Sequence, residues 1–282
     1  MRGDIQAIQR TSQWLTSLLA GVAVLNVAAL THSWAAGSAG ADRLLVVTAI
    51  VFGAALVSSI AGFAFSALAG AALAHLALAP TEAVAIMLVC SIAIQAYAVV
   101  KLADAIRWQR LAPFLIGGAL TVPLGIALLT RFSTAAFSVG LGILLVMYGA
   151  YMLARKSEIV VRANPLADFA IGAVGGVTGG LAAFPGAFVT VWCGMRGWTK
   201  DEQRAVFQPY ILAMQLVALA LLQSSAPAAQ PQSAALFVLV PSVLLAAHLG
   251  IAVFRKLSNR QFNQIVYGLL VAAGVTLVIK FV

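Results

Sequence analysis

The chain has 282 residues, of which 62% are hydrophobic and only 9% charged. A soluble domain cannot cover that much apolar surface, and runs that are continuous instead of alternating exclude a membrane β-barrel. The net charge of +9 comes from Lys and Arg at the ends of apolar runs, where they orient membrane helices, so it does not argue for nucleic acid.

Met1 to Arg10 is a short polar lead. Trp14 to Trp34 is an apolar segment of membrane-span length. That is long for the apolar part of a signal peptide, so it is read as a retained first helix. The small residues Ser38-Ala39-Gly40-Ala41 keep cleavage as the alternative. Leu44 to Pro80 is a long apolar run interrupted at Gly62-Phe63-Ala64-Phe65-Ser66. Ala83 to Val100, Leu111 to Thr130 and Ala135 to Leu153 read as three spans. Asn164-Pro165 opens a second interrupted run, reaching to about Met195 and holding Gly172, Gly175, Gly176, Gly179, Gly180 and Pro185-Gly186. Glycine and proline disfavour a helix interior by about 1 and about 3 kcal/mol relative to alanine, so an uninterrupted helix is not expected there. Ala205 to Leu222, Ala234 to Phe254 and Ile265 to Phe281 complete the chain as three more spans.

The loops at 101–110, 155–162, 196–204 and 255–260 are basic and are assigned to the cytoplasm, and the uncharged linker 223–232 to the outside. Both ends of 166–195 then lie inside, and both ends of 44–80 outside. Each interrupted run is therefore expected to be a re-entrant hairpin of two short helices. The expected fold is all-α and integral to the membrane. It has two inverted repeats, 43–162 and 163–282, each a broken-helix hairpin plus three transmembrane helices, after an N-terminal lead and helix over 1–42. The N-terminus falls in the cytoplasm and the C-terminus in the periplasm of a bacterial inner membrane. Internal matches support the repeat. Gly125-Ile126-Ala127 and Leu144-Leu145-Val146 recur as Gly250-Ile251-Ala252 and Leu269-Leu270-Val271 at one offset, and Glu82 and Gln95 recur as Glu202 and Gln215 at another. Paired interruptions in two inverted halves point to a transport site near the bilayer midplane.

The motifs Gly62-Phe63-Ala64-Phe65-Ser66-Ala67, Pro80-Thr81-Glu82-Ala83, Gly175-Gly176-Val177-Thr178-Gly179-Gly180, Phe184-Pro185-Gly186, Arg196 through Arg204 and Gln208-Pro209-Tyr210 stand at the breaks and span starts. Through them the chain resembles the sulfite exporter TauE/SafE family. Members usually carry more glycine after the first Gly-Phe and a proline soon after, where this chain has Ala64, Ser66 and Ala69. The resemblance implies movement of sulfite, organosulfonates or related small organic anions.

Where a helix restarts after a break, its first N–H groups have no internal partner and suit an anion. The expected substrate-binding residues are Gly62, Phe63, Phe65, Ser66, Gln95, Thr178, Phe184, Pro185, Gly186, Gln208, Tyr210 and Gln215. Glu82, Lys200, Arg204 and His248 are candidates for gating or anion attraction. Packing explains many of these equally well: glycines for close helix contact, glutamines for helix bridging, the histidines as hydrogen-bonded packing residues. No ATP motif, metal cluster or nucleophile–base arrangement is seen, so no cofactor, no metal and no enzyme activity are expected. The partners are a small sulfur anion and the bilayer, with a homodimer as one assembly. The reading is a secondary transporter, probed against an anion channel of the same architecture and a carrier of another small organic anion.

Overall fold

The computed structural model describes residues 39–73, 76, 80–129, 134–154, 160–162, 164–182, 184–225 and 233–281. The expected first helix, His75, the Arg155-Lys156 pair, the side chain of Glu82 and most of the 223–232 linker lie outside the described residues. All regular structure within them is helical. In chain order the helices are α1 (Ala39–Ala61), α2 (Phe65–Leu73), α3 (Pro80–Lys101), α4 (Trp108–Leu129), α5 (Thr134–Ala154), α6 (Pro165–Ala182), α7 (Gly186–Gly194), α8 (Lys200–Ser225), α9 (Ser233–Lys256) and α10 (Asn259–Phe281). A 3-10 turn, Ala103–Ala105, joins α3 to α4.

Local chemistry sets several of these starts. Asn164 Oδ1 accepts from the N–H groups of Leu166 and Ala167 at 3.0 and 3.4 Å, with Pro165 at the first helical position, where its missing N–H costs nothing. At α8, Thr199 N–H donates to Glu202 Oε2 at 3.1 Å and Glu202 N–H donates to Thr199 Oγ1 at 3.3 Å, a reciprocal cap. Ser258 and Gln261 make the same arrangement at α10, at 2.9 and 3.3 Å.

The described helices include four segments long and apolar enough to cross a membrane: Arg43–Ala61, Trp108–Leu128, Lys200–Leu221 and Val238–Lys256. Large apolar side chains on the outside, such as Leu120, Met147 and Ile279, are exposed. A lipid environment accounts for them.

The two interrupted runs each form a long helix followed by one of nine residues. A nine-residue helix rises about 14 Å, roughly half a hydrocarbon core. Only the second arm of each run therefore matches the two short helices expected from sequence. The first arms, of 23 and 18 residues, are longer. The ends of the second run meet. Val161 N–H donates to Met195 O at 2.7 Å, and Trp192 Nε1 donates to Asp168 Oδ1 at 2.7 Å. Arg196 Nη1 lies 3.2 Å from Asp168 Oδ1 in a buried ion pair.

The glycines of the second run do not break it, contrary to the sequence expectation. α6 continues through all five and ends at Ala182. Three of them, Gly172, Gly176 and Gly180, stand four residues apart and face α4. An added Cβ on them would come within 2.3, 2.3 and 2.5 Å of the carbonyl oxygens of Phe114, Gly118 and Val122. Lipid gives no hydrophobic drive between helices, so such backbone contact is what holds the pair. Gly175 and Gly179 face the other way and leave room for Pro185.

Gly176→Ala should therefore destabilise by about 1–3 kcal/mol, because its neighbours are backbone and cannot yield. Gly53, exposed in α1 with nothing within 4 Å of an added Cβ, is the control. Gly53→Ala should leave the melting temperature of the detergent-purified protein unchanged or slightly higher. Equal behaviour of the two variants would refute the α4–α6 contact.

Candidate functional site

The first break is built on two residues with left-handed backbone. Gly62 has φ of +88° and Ala64 has φ of +71°. Gly62 N–H still closes the last turn of α1, donating to Ser58 O at 2.6 Å. Its carbonyl is turned out of the helix and accepts from Gln95 Nε2 of α3 at 3.3 Å and Gln208 Nε2 of α8 at 3.5 Å. Glycine is required here sterically as well, since an added Cβ would lie 2.6 Å from the Phe207 ring. Alanine at 64 is a strained choice, because the left-handed region costs a residue with a Cβ roughly 1–2 kcal/mol.

The second break is at Phe184-Pro185. Phe184 turns back beside α6, and Thr178 Oγ1 lies 3.0 Å from Gly175 O and 3.3 Å from Phe184 O, bridging the loop to the helix. Pro185 stands at the start of α7 and no side chain caps that helix. The first N–H groups of α7 are thus available at a buried helix start, the electropositive end of its dipole. Gly186 sits against α8, where an added Cβ would be 2.4 Å from Ile211 Cδ1.

The two breaks line one small cavity of about 20 Å³. Of the predicted residues it contains Phe63, Phe65, Ser66, Gln95, Phe184, Pro185, Gly186 and Gln215, and it adds Ala64, Ser91 and Ile211. Ser91 and Ile211 stand four residues before Gln95 and Gln215, so helical periodicity alone was enough to find them. The volume holds about one water. Gln215 Nε2 is 2.7 Å from Ser91 Oγ. Gln95 Oε1 and Gln215 Oε1 are buried without a hydrogen-bond partner among the described residues. Gln95 must keep its NH2 on the Gly62 carbonyl, which can only accept. Gln215 is free to turn its amide over, because the Ser91 hydroxyl both donates and accepts. It can then present its NH2 to an anion.

The other predicted residues, Gly62 among them, lie outside this cavity. Tyr210 OH donates to Gly172 O at 2.7 Å and ties α8 to α6. Thr178 and Gln208 support the two breaks from behind. Lys200 Nζ donates to the carbonyls of Phe254, at 2.8 Å, and Leu257, satisfying the end of α9. Glu202, the repeat partner of Glu82, pairs with Arg110 at 2.8 Å. His248 Nδ1 is 2.7 Å from Tyr97 OH, joining α9 to α3. Arg204 is 1% exposed, far from the loop cation that its sequence position implies.

A family model described as Sulfite exporter TauE/SafE matches residues 46–277. No curated protein and no solved structure matches the chain.

The left-handed backbone at Ala64 sets a test of the first break. Ala64→Gly should stay within about 1 kcal/mol of the parent, since glycine adopts that conformation without strain. Ala64→Val should lower the melting temperature sharply, because a β-branched residue is an outlier there. A valine variant as stable as the parent would exclude this backbone geometry.

Proposed function

The chain belongs to the sulfite exporter TauE/SafE family, a family of membrane transporters, and on that premise we propose that it is a secondary transporter for small sulfur-containing anions, sulfite and organosulfonates. It carries them outward across the bacterial inner membrane by alternating access around the cavity between the two breaks. The observation that carries this reading is the convergence of the two interruptions, more than 100 residues apart in sequence, on one cavity. Broken backbone survives at membrane depth only where protein buries it or where it lines a cavity, and here it does both.

The packing supports two inverted repeats. Helices α1 to α5 and α6 to α10 follow the same order: long, nine residues, then three long. Exchanging the halves maps the contacts onto one another. α4 packs on α6 as α9 does on α1, and α4 on α8 as α9 on α3. α5 and α10 pair with each other, as do α3 and α8. The last pair is antiparallel. Gln215 meets Ser91, whereas the earlier Gln208 shares the Gly62 carbonyl with the later Gln95. The joined ends of 161–196 support a hairpin that enters and leaves on the basic-loop side, with the N-terminus cytoplasmic and the C-terminus periplasmic.

In this mechanism the substrate is held by neutral groups: the first N–H groups of α7, Ser66 and the turned amide of Gln215. Phe63, Phe65 and Phe184 wall the cavity. The closed volume requires the hairpins to part from α3 and α8 before an anion of four or more heavy atoms is admitted. Outward movement of a monoanion needs no coupled ion, because an inside-negative potential contributes about 2.3 kcal/mol per charge per 100 mV.

In proteoliposomes, efflux of sulfite or a short sulfonate should saturate with concentration and rise with an imposed inside-negative potential. Gln215→Leu should slow it by about tenfold or more, the loss of one hydrogen bond to an ion, and Gly186→Leu should slow it as well, because its side chain runs into Ile211. Unsaturated single-channel currents would replace the carrier with a pore. Efflux of matched carboxylates with no sulfur anion would move the substrate to another class.

A further inference from the structure

Arg204 is the largest fully buried side chain among the described residues. Its Nε donates to Gln208 Oε1 at 3.2 Å and its Nη1 to Ile60 O at 3.4 Å. The guanidinium lies over the Phe254 ring, 4.1 Å from its centroid. Its Nη2 has no partner, and no ion pair reaches it among the described residues. A buried cation without an ion-pair partner is costly, and Asp201 acts on this one only at longer range. The repeat gives the guanidinium no counterpart. The offset that relates Gln95 to Gln215, 215 − 95 = 120, places Val84 opposite it.

Arg204 lines a second, larger cavity of about 220 Å³ at the basic-loop end of the bundle. Lys101, Asp104, Asp201 and Arg255 line it too. Both carboxylates belong to exposed residues, while Arg204 is buried. The rim is therefore of mixed charge and the deep end positive. From there, Gln208 leads to the carbonyl of Gly62, next to Phe63 of the hairpin cavity.

We propose that this cavity is a second anion site, separate from the hairpin cavity. In it a small oxyanion meets Arg204, whose Nη2, sealed in this form, turns toward the cavity to donate to one oxygen before the anion passes to the breaks. The site stands on its own geometry, and only the choice of a sulfur oxyanion as ligand rests on the transport reading. The guanidinium supplies the charge that the hairpin cavity lacks, on the basic-loop side alone. Loading is thereby favoured from that side.

Thiol protection tests this in the full-length protein. Cys90 and Cys193 are both 0% exposed, so a cysteine placed at Ala105, exposed on the cavity wall, is the reactive one. Methanesulfonate should slow alkylation of Ala105→Cys by N-ethylmaleimide, and chloride at equal ionic strength should not. Adding Arg204→Gln should raise the half-protecting concentration by about tenfold or more, and Arg204→Lys by less. Gln215→Leu should leave protection intact while slowing transport. The proposal falls if methanesulfonate gives no protection, if chloride protects equally, or if Arg204→Gln changes nothing. It also falls if Gln215→Leu removes protection, since the anion is then at the hairpins. Should Arg204→Gln unfold, seen as labelling of Cys90 and Cys193, Arg204→Lys decides: an unchanged half-protecting concentration rejects the site. Protection in a protein that moves no sulfur anion would keep the site and reject the transport reading.

Discussion

A helix that stops inside a bilayer exposes carbonyls and amides that lipid cannot satisfy. Most of this structure can be understood as the answer to that constraint at two places. At the first break the burden falls on the Gly62 carbonyl, which takes hydrogen bonds from both halves of the chain, Gln95 from one and Gln208 from the other. At the second, Thr178 reaches the Phe184 carbonyl, and Gly175 and Gly179 let the loop lie flat on α6. The breaks are thus fixed from outside themselves. Whatever moves α8 relative to α1 must disturb the Gly62 carbonyl, so the same hydrogen bonds that satisfy the break can sense rearrangement of the bundle.

That the protein is helical and interrupted near Gly62 and Pro185 was legible in the sequence, because composition and spacing alone carry those signals. The sequence did not separate two uses of glycine. Gly172, Gly176 and Gly180 pack α6 on α4, whereas Gly175 and Gly179 serve the break, and only the partner surfaces distinguish them. The second break falls after Ala182 and the chain restarts at Gly186, so the Pro185-Gly186 pair marked the place and the five glycines before it did not. The alanine for glycine at position 64 was visible, yet its left-handed backbone was not.

Charged residues near span ends were the least legible. Lys200, Glu202 and Arg204 lie within five positions and look alike to a topology rule. The structure gives them unrelated tasks. Lys200 caps α9, Glu202 closes a capping box and pairs with Arg110, and Arg204 turns inward beneath Phe254. Helical spacing alone turns their side chains in different directions around α8. What each meets there depends on α9 and on the end of α1, remote in sequence.

On the transport reading proposed above, a division of labour between the two cavities follows from what a carrier of anions has to avoid. A fixed cation at the central site would hold the substrate strongly in both facing states and slow its release. The hairpin cavity instead offers neutral amides, a hydroxyl and helix-start N–H groups, whose hold on an anion is set by how many of them point inward. In that reading the grip is lost as soon as the hairpins separate, because the donors belong to different elements. The full positive charge sits at Arg204, outside the central cavity and on one side only. In the proposed second site it would raise the local concentration of anion on that side without deepening the well that the substrate must leave.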